Sequence, residues 1–387
     1  MKIMHIAPNS NYTEGWGYQD NLLPKYQSKM GNKVGIIVGV DMHGENGIVE
    51  CSPVEYKNEY GVHVYRLNKR NFLFKHVTNF FMMLNVLPIL KKVKPDMIFF
   101  HGLVSLTLFD VIKYKRENPN CVIVMDNHLD YNIGGNVKTI RNKLARKFYS
   151  VIYRFNDKYI AKVYGVTPWR RKYAEEVFNV PSSKTDVLIM GADDEEIKLD
   201  NKNIIRKEIR KEYGIADSDF LIVSGGKLDK NKNIDVLVRA CQELNNNVKL
   251  ILFGKISDEQ NMLIDEIKKS KNTIFIGWID SNRVYDYYFA ADLVVFPGQH
   301  SVLWEQACAS KVPCVFKKWD GMDHVNNGGN SDFLTEVNVQ AIKDMINKLN
   351  YTDKYYEMKR VAESDKTDIY LYSKIAEKSL ECAKNTK

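Results

Sequence analysis

The sequence predicts an α/β protein of two domains, each a parallel sheet wrapped by helices. Short apolar runs recur along the chain, and many are followed by residues with apolar spacing at i, i+3, i+4 and i+7. The chain has 387 residues, more than one ordinary domain holds. Residues 194–215 turn from acidic to basic, and strand–helix alternation resumes after them. The predicted division is 1–197, rejoined by a helix at about 368–387, and 198–367.

KIMHIAP (2–8) reads as a first buried strand and is too short and too quickly polar for a signal peptide. A loop with Gly15, Trp16 and Gly17 follows, then a helix over 18–30 and a second strand, KVGIIVG (33–39). This opening has the order of a Rossmann-like half, but without G-x-G-x-x-G a dinucleotide cofactor is not supported. GVHVYRL (61–67) alternates like a strand. Residues 69–95 are apolar but carry Lys75, His76 and Asn79 and are interrupted by Pro88, so they fall short of a membrane span. They fit a core-packed helix, or an interfacial one flanked by Lys69, Arg70, Lys91, Lys92 and Lys94.

DMIFFHG (96–102) and CVIVMDNH (121–128) are two further buried strands around a helix near 105–116. The second ends in Asp126, Asn127, His128, Leu129 and Asp130, at the sheet edge where α/β proteins bind ligands. Asp126 and Asp130 are placed to orient His128 or to cap the next helix, and His101 ends the neighbouring strand. A purely structural histidine is the alternative. Residues 137–167 contain a helix and then a strand, with Lys138, Arg141, Lys143, Arg146, Lys147 and Arg154 crowded together. VYGVTPW (163–169) is read as strand and turn, and 204–213 as a short helix.

The second half is organised around 220–305. It opens with a strand over 220–223, a glycine turn at Gly225 and Gly226, and a helix from about Asn233. Lys227, Lys230 and Lys232 lie between. Glycine-rich backbone beside lysines at a strand-to-helix junction suits phosphate, through exposed N–H groups and positive charge. Further strands are expected at 248–253, 273–276, 291–296 and 313–316. Pro297 and Gly298 end the fourth of the second half's strands, Ser301 is expected to cap a helix over 302–309, and Glu305 lies on its first full turn. A carboxylate there can accept hydrogen bonds from two vicinal ribose hydroxyls. One junction thus suits a diphosphate and the other the sugar of a nucleotide. Residues 320–334, rich in Asn and Gly, read as a mobile loop.

These residues resemble the retaining nucleotide-sugar glycosyltransferases of family four, whose fold is GT-B, two Rossmann-like domains facing a cleft. That family carries Gly-Arg-Leu, three residues, then Lys; here stand Gly226, Lys227, Leu228 and Lys232. It also carries two glutamates separated by seven intervening residues. The second matches Glu305 in ADLVVFPGQHSVLWEQACA, whereas the first falls on Pro297. Lys227 replaces the family arginine, and Gln299 or His300 stands in for the absent glutamate. The resemblance runs along nearly the whole chain and is specific over 220–310.

The resemblance implies catalytic roles for His128, Lys227 and Lys232. It implies donor binding by Gly226, Lys227, Lys232, Gln299, His300, Ser301, Val302 and Glu305, and a loop at Gly15 and Gly17 that approaches the substrates. Trp278 is a possible base platform, with core packing as the alternative. The implied reaction moves a sugar from a UDP- or GDP-sugar to an acceptor in polysaccharide, glycolipid or glycoprotein synthesis, without a cofactor or metal. Two other readings stay open: a non-catalytic subunit supporting a partner transferase, and a nucleotide-sugar epimerase.

Hydrophobic residues make up 44% and charged residues 27% of the chain, an ordinary globular balance. The six cysteines form no C-x-x-C pair, which argues against zinc or disulfide frameworks and fits a reducing cytoplasm. The net charge of +8 is concentrated in 66–172, with 21 Lys and Arg against 6 Asp and Glu. Such a field attracts anionic surfaces. A solvated helix face is the ordinary explanation of a basic run like that in 137–167. An acidic membrane face is the favoured partner, on the cytoplasmic side; nucleic acid is the runner-up, not expected because no RNA-binding motif or aromatic platform supports it.

Overall fold

The computed structural model describes residues 1–44, 47–72, 74–131 and 139–384. Lys138 of the basic run lies outside the described residues. The chain divides into two units: Met1–Ile189 with Tyr372–Lys387, and Met190–Leu371.

The first unit has strands β1 (Lys2–Ala7), β2 (Lys33–Gly39), β3 (Asp41–Gly44), β4 (Gly47–Glu50), β5 (Val54–Lys57), β6 (His63–Leu67), β7 (Met97–His101), β8 (Val122–Asn127), β9 (Lys162–Gly165) and β10 (Thr185–Val187). Eight of them form one sheet in the order β10-β9-β8-β7-β1-β2-β6-β5, while β3 and β4 pair as a separate hairpin. All neighbours in the large sheet are parallel except β5, which lies antiparallel to β6 at the edge. The order reverses at β1, whose neighbours are β2 and β7. The central strands β7 and β8 are buried throughout, as a parallel sheet covered on both faces requires.

One face packs Met4, Ile6, Ile98, Phe100, Ile123 and Met125 against Tyr149, Tyr153 and Tyr173. The other packs Ile3, Ile36, Phe99 and Val124 against Leu22, Leu23 and the returning segment Tyr372, Ile375 and Leu380. Full burial of a side chain such as Ile375 or Leu380 contributes about 1.5–3 kcal/mol. The C-terminal helices Tyr372–Ser379 and Glu381–Lys384 thus complete a core that begins at residue 3.

Several expectations for this unit need correction. Residues 69–95 do not form one helix; they hold Lys75–Phe81 and Leu87–Val93, separated where Met82 takes a left-handed conformation. Lys69, Lys91 and Lys92 of their flanks are ion-paired with Asp41, Glu117 and Glu55. The turn expected after β9 is a full helix, Pro168–Phe178, capped by the Thr167 hydroxyl, which accepts from the Arg170 N–H. None of the helices among the described residues is long and apolar enough to cross a membrane.

The second unit has strands β11 (Phe220–Leu228), β12 (Val248–Ile256), β13 (Thr273–Phe275), β14 (Leu293–Phe296), β15 (Cys314–Lys317) and β16 (Ser331–Leu334), all parallel, in the order β13-β12-β11-β14-β15-β16. This is the doubly wound order, with its switch point between β11 and β14. Helix Ile234–Gln242 packs Leu237, Val238 and Cys241 onto Phe220, Ile222 and Leu250. All six cysteines are free.

Two corrections concern this unit. Gly225 and Gly226 are not a turn: β11 runs through them, paired with Phe253 and Gly254 of β12. The segment 320–334 ends in a strand, β16, and its Asn-Gly run is closed by hydrogen bonds from the Asn327 N–H to Asn330 Oδ1 (2.6 Å) and from the Gly329 N–H to Asn326 Oδ1 (2.8 Å).

Candidate functional site

In the second unit the switch point gathers the C-terminal ends of β11 and β14. Beyond β11 the chain makes a 3-10 turn, Lys230–Lys232, and Asn233 takes a left-handed conformation before helix Ile234–Gln242. Beyond β14 come Pro297, Gly298, Gln299 and His300. The two exits are tied together. The Lys232 ammonium donates to the Gln299 carbonyl at 2.6 Å, Asn233 Nδ2 to the Pro297 carbonyl at 2.9 Å, and the Gln299 N–H to the Asn231 carbonyl at 3.0 Å.

The glycines are explained by crowding rather than by turns. Gly226 has φ +108, and a Cβ there would stand 2.8 Å from Leu303 Cδ1. A Cβ on Gly225 would lie 2.5 Å from the Phe253 ring. Small residues therefore let β11 approach the 303 region closely. Lys227 is exposed, while Lys232 is partly buried and its ammonium is pulled below the ordinary lysine range by desolvation.

Helix Leu303–Ala309 follows. The expected cap is corrected here: the N-cap is Val302, already in helical conformation, and no side chain caps it, so Ser301 does not serve. Glu305 on this helix is fully buried. Its Oε1 lies 2.8 Å from His300 Nε2 and 2.8 Å from His324 Nε2, while Oε2 takes no hydrogen bond. Burial alone would raise this carboxyl, but the charges and hydrogen bonds of His300 and His324 overcome it and bring it down to about 2. Trp304 stacks on Phe316 at 4.5 Å between centroids and meets His300 edge-on at 5.2 Å. The Tyr370 hydroxyl donates to the His324 carbonyl at 2.7 Å. Trp278 is 73% exposed and contributes nothing to this cluster.

In the first unit the switch point lies between β1 and β7. Asp126 at the end of β8 is fully buried; its Oδ2 is 2.7 Å from His101 Nδ1 and 3.3 Å from His128 Nε2, and its Oδ1 accepts the Gly102 N–H at 2.8 Å. His128 is half-exposed, with 41% of its side chain accessible. Asp126 therefore is the carboxylate that orients His128, whereas Asp130 pairs with Arg170 at 3.4 Å. Gly15 and Gly17 are exposed in the loop after β1, and the Gly15 N–H donates to Glu59 Oε1 at 3.2 Å.

The structure brings Gly226, Lys232, Gln299, His300, Val302 and Glu305 to one end of the second sheet, with Lys227 exposed beside them. His324, Asn233 and, in the first unit, His5 and Gln27 belong to these clusters and were not singled out from sequence. His324 lies 19 residues after Glu305, on the far side of β15, so no local spacing announces it. Two groups among the described residues bring three ligand-type atoms within 4.8 Å: His101, Asp126 and His128, and His300, Glu305 and His324. Both ring nitrogens of His101 already face other side chains.

Residues 205–363 match the family described as glycosyl transferases group 1. The chain is 32% identical over 148 residues, 36% of its length, to the N-acetylgalactosamine-N,N'-diacetylbacillosaminyl-diphospho-undecaprenol 4-alpha-N-acetylgalactosaminyltransferase of Campylobacter jejuni. It is 29% identical over 110 residues, 27% of its length, to the alpha-galactosylglucosyldiacylglycerol synthase of Streptococcus pneumoniae. The matches cover 37% and 29% of those two relatives. Among solved structures, a glycosyltransferase from Rickettsia africae superposes with a TM-score of 0.72 at 16% identity, covering 100% of this chain and 98% of the other. Anabaena Alr3699/HepE in complex with UDP and glucose superposes with a TM-score of 0.67 at 16% identity over the whole of both chains. The solved structures show that the chain has the GT-B fold, and within it residues 205–363, which hold the doubly wound second sheet, are similar to glycosyl transferases group 1.

Proposed function

We propose that this protein transfers a sugar from a nucleotide-diphosphate sugar, UDP- or GDP-linked, to a carbohydrate or lipid-linked acceptor, with retention of configuration. The observation that carries the reading is the β11/β14 switch point, where Gly226, Lys227, Lys232 and the buried Glu305 share one sheet end inside the segment that matches the family. Lys227 and Lys232 stabilise the negative charge that grows on the departing diphosphate. In this reading Glu305 Oε2, which neither histidine occupies, accepts from a ribose hydroxyl, and because that oxygen is buried the nucleotide must uncover it on binding. As the bond from the anomeric carbon to the diphosphate oxygen breaks, the acceptor oxygen bonds to that carbon from the same face. A diphosphate oxygen takes the acceptor's proton, so no strong protein base is needed. Neither a cofactor nor a metal is required for this step. The printed names of the Campylobacter and Streptococcus relatives favour an acceptor carried on a lipid.

The first unit, in this reading, carries the acceptor and rests on an acidic membrane surface. Helix Ile140–Asn156 supports this. Tyr149, Ile152 and Tyr153 are buried, while Ile140, Leu144, Phe148, Val151 and Phe155 form an exposed apolar stripe beside exposed Arg141, Lys143, Lys147 and Arg154. An apolar stripe with basic flanks is the pattern of a helix that lies in a lipid interface.

Pro297, standing where the family has its first glutamate, favours a second reading, a non-catalytic subunit of a partner transferase. Incubation with UDP- and GDP-sugars separates the two. Release of nucleoside diphosphate together with a glycosylated lipid acceptor is the expected result. Absence of any thermal shift across a full panel of nucleotides would overturn the enzymatic reading.

A further inference from the structure

A buried line of side chains crosses the first unit from the C-terminal helix to the end of β8, and its proton inventory can be worked out link by link. Ser379 Oγ donates its one proton to the Ala376 carbonyl at 2.6 Å. Gln27, 2.8 Å away, must therefore turn its Nε2 toward Ser379, which leaves Oε1 facing His5. A carbonyl oxygen only accepts, so His5 Nε2, 2.8 Å from it, carries a proton. His5 is fully buried and held neutral, pulled to about 3 chiefly by desolvation and then by the neighbouring His101 charge. Its Nδ1 is then a bare lone pair, and it lies 3.0 Å from His101 Nε2. His101 Nε2 must donate there, while His101 Nδ1 faces the Asp126 carboxyl at 2.7 Å. The Gly102 N–H on Asp126 Oδ1 and the His128 ring at Oδ2 draw the negative charge onto Asp126, so the proton of that last bond resides on His101. Asp20, on helix Gln19–Lys29, adds to the negative field at His101.

We propose that Gln27, His5 and His101 are positioning residues that keep His101 as a buried imidazolium and Asp126 as its carboxylate, and so fix the tautomer of His128. With the carboxylate at its Nε2, neutral His128 keeps that proton and presents Nδ1 as a hydrogen-bond acceptor at the exposed end of β8. The group it takes is then a hydroxyl donor, such as a sugar O–H, and not a carbonyl or phosphate oxygen. The polarity of the whole line is set by the Ser379 hydroxyl, more than 250 residues along the chain from His128. The substrate-facing part rests on the glycosyltransferase reading; the proton inventory does not.

The test is imidazole NMR on the full chain labelled with 15N-histidine, without donor, at pH 7.5. His101 is expected to show two protonated ring nitrogens. Ser379→Ala releases Gln27 to reverse its amide and present N–H to His5, so His101 keeps one ring proton; Ser379→Thr keeps both. Gln27→Met, with its fold checked by thermal melting, gives the same loss by a second route. With donor and acceptor, Ser379→Ala is expected to lower kcat by at least about tenfold with the donor KM unchanged, and Ser379→Thr to restore it. A single ring N–H on His101 in the unaltered protein, or two in both loss variants, overturns the proposal. Two N–H signals without any sugar transfer would uphold the inventory while rejecting the glycosyltransferase reading.

Discussion

Gly298 and Lys232 meet backbone against backbone: a Cβ on Gly298 would stand 2.3 Å from the Lys232 Cα and 2.4 Å from the Asn231 carbonyl oxygen. The two strand exits at the switch point therefore touch without room for a methyl group. Because the obstacle is main chain, no rotamer change relieves it. Gly298→Ala is expected to destabilise the fold by about 1–3 kcal/mol and to abolish the thermal shift given by UDP. Urea unfolding and a UDP titration measure both. Full stability with full UDP binding would mean that the exits are not packed as described.

Lys227 and Lys232 should separate in their effects. Lys227 is exposed, so Lys227→Ala is expected to weaken UDP binding by about 1.5–3 kcal/mol with little change in melting temperature. Lys232 also holds the Gln299 carbonyl, so Lys232→Ala is expected to lose both binding and about 1 kcal/mol of stability. Calorimetry with UDP checks the first, and thermal melting without ligand the second. Unchanged UDP affinity in both variants counts against the diphosphate assignment.

Glu305 carries a pH dependence. Its folded carboxyl titrates at about 2, below its value in an unfolded chain. The ionised form therefore stabilises the fold fully above about pH 4.3, and that contribution disappears as the pH falls through the window toward 2. Glu305→Gln is expected to cost about 3 kcal/mol near neutrality and to flatten the acid limb of the stability curve. Denaturant unfolding from pH 2 to 7 reads the slope; an acid limb identical to that of the unaltered protein would refute the pairing with His300 and His324.

The exposed stripe predicts lipid dependence. Leu144→Ser with Phe155→Ser should reduce sedimentation with acidic vesicles at high salt, where charge is screened and the apolar term remains. Lys143→Glu with Lys147→Glu should reduce it at low salt, by roughly 1 kcal/mol per basic residue removed. At low salt neutral vesicles should bind the unaltered chain less well than acidic ones, leaving only the apolar contribution. Equal binding to neutral and acidic vesicles contradicts the charge argument.

Most strands readable from sequence are buried on both faces; β6 is read instead from its alternation, and β13 lies at a sheet edge with none of its residues fully buried. β1, β2, β7, β8, β11, β12 and β14 are near-continuous apolar runs because both faces of a parallel sheet are covered. β16, with Ser331, Asp332, Phe333 and Leu334, lies at a sheet edge, half its residues partly exposed, and its composition reads as loop. Helix Pro168–Phe178 hid behind a Thr-Pro-Trp turn signal because Pro is also at home in the first turn of a helix. Gly225 and Gly226 were misread for a related reason: glycine marks a turn or a close approach alike, and only the facing Phe253 and Leu303 decide which.

The site was legible unevenly. Glu305, Lys227 and Lys232 could be picked out because they lie along one continuous stretch with a recognisable order. The histidines that hold Glu305, and the line from Ser379 to Asp126, depend on which strands become neighbours. β1 beside β7 brings His5 to His101, and nothing local in either segment announces that pairing.

The first unit is discontinuous in sequence, and this bears on how the protein is made. Its sheet emerges early from the ribosome, yet Tyr372, Ile375, Ala376 and Leu380, which seal one face of that sheet, are translated after all of the second unit. At a synthesis rate of roughly 5–20 residues per second, the earlier portion waits on the order of ten seconds or more with that face uncovered. The later-encoded unit can finish folding first. The earlier one stays an unfinished nascent domain that invites chaperone attention, and a premature stop codon just beyond residue 371 would harm the half of the molecule that was translated first.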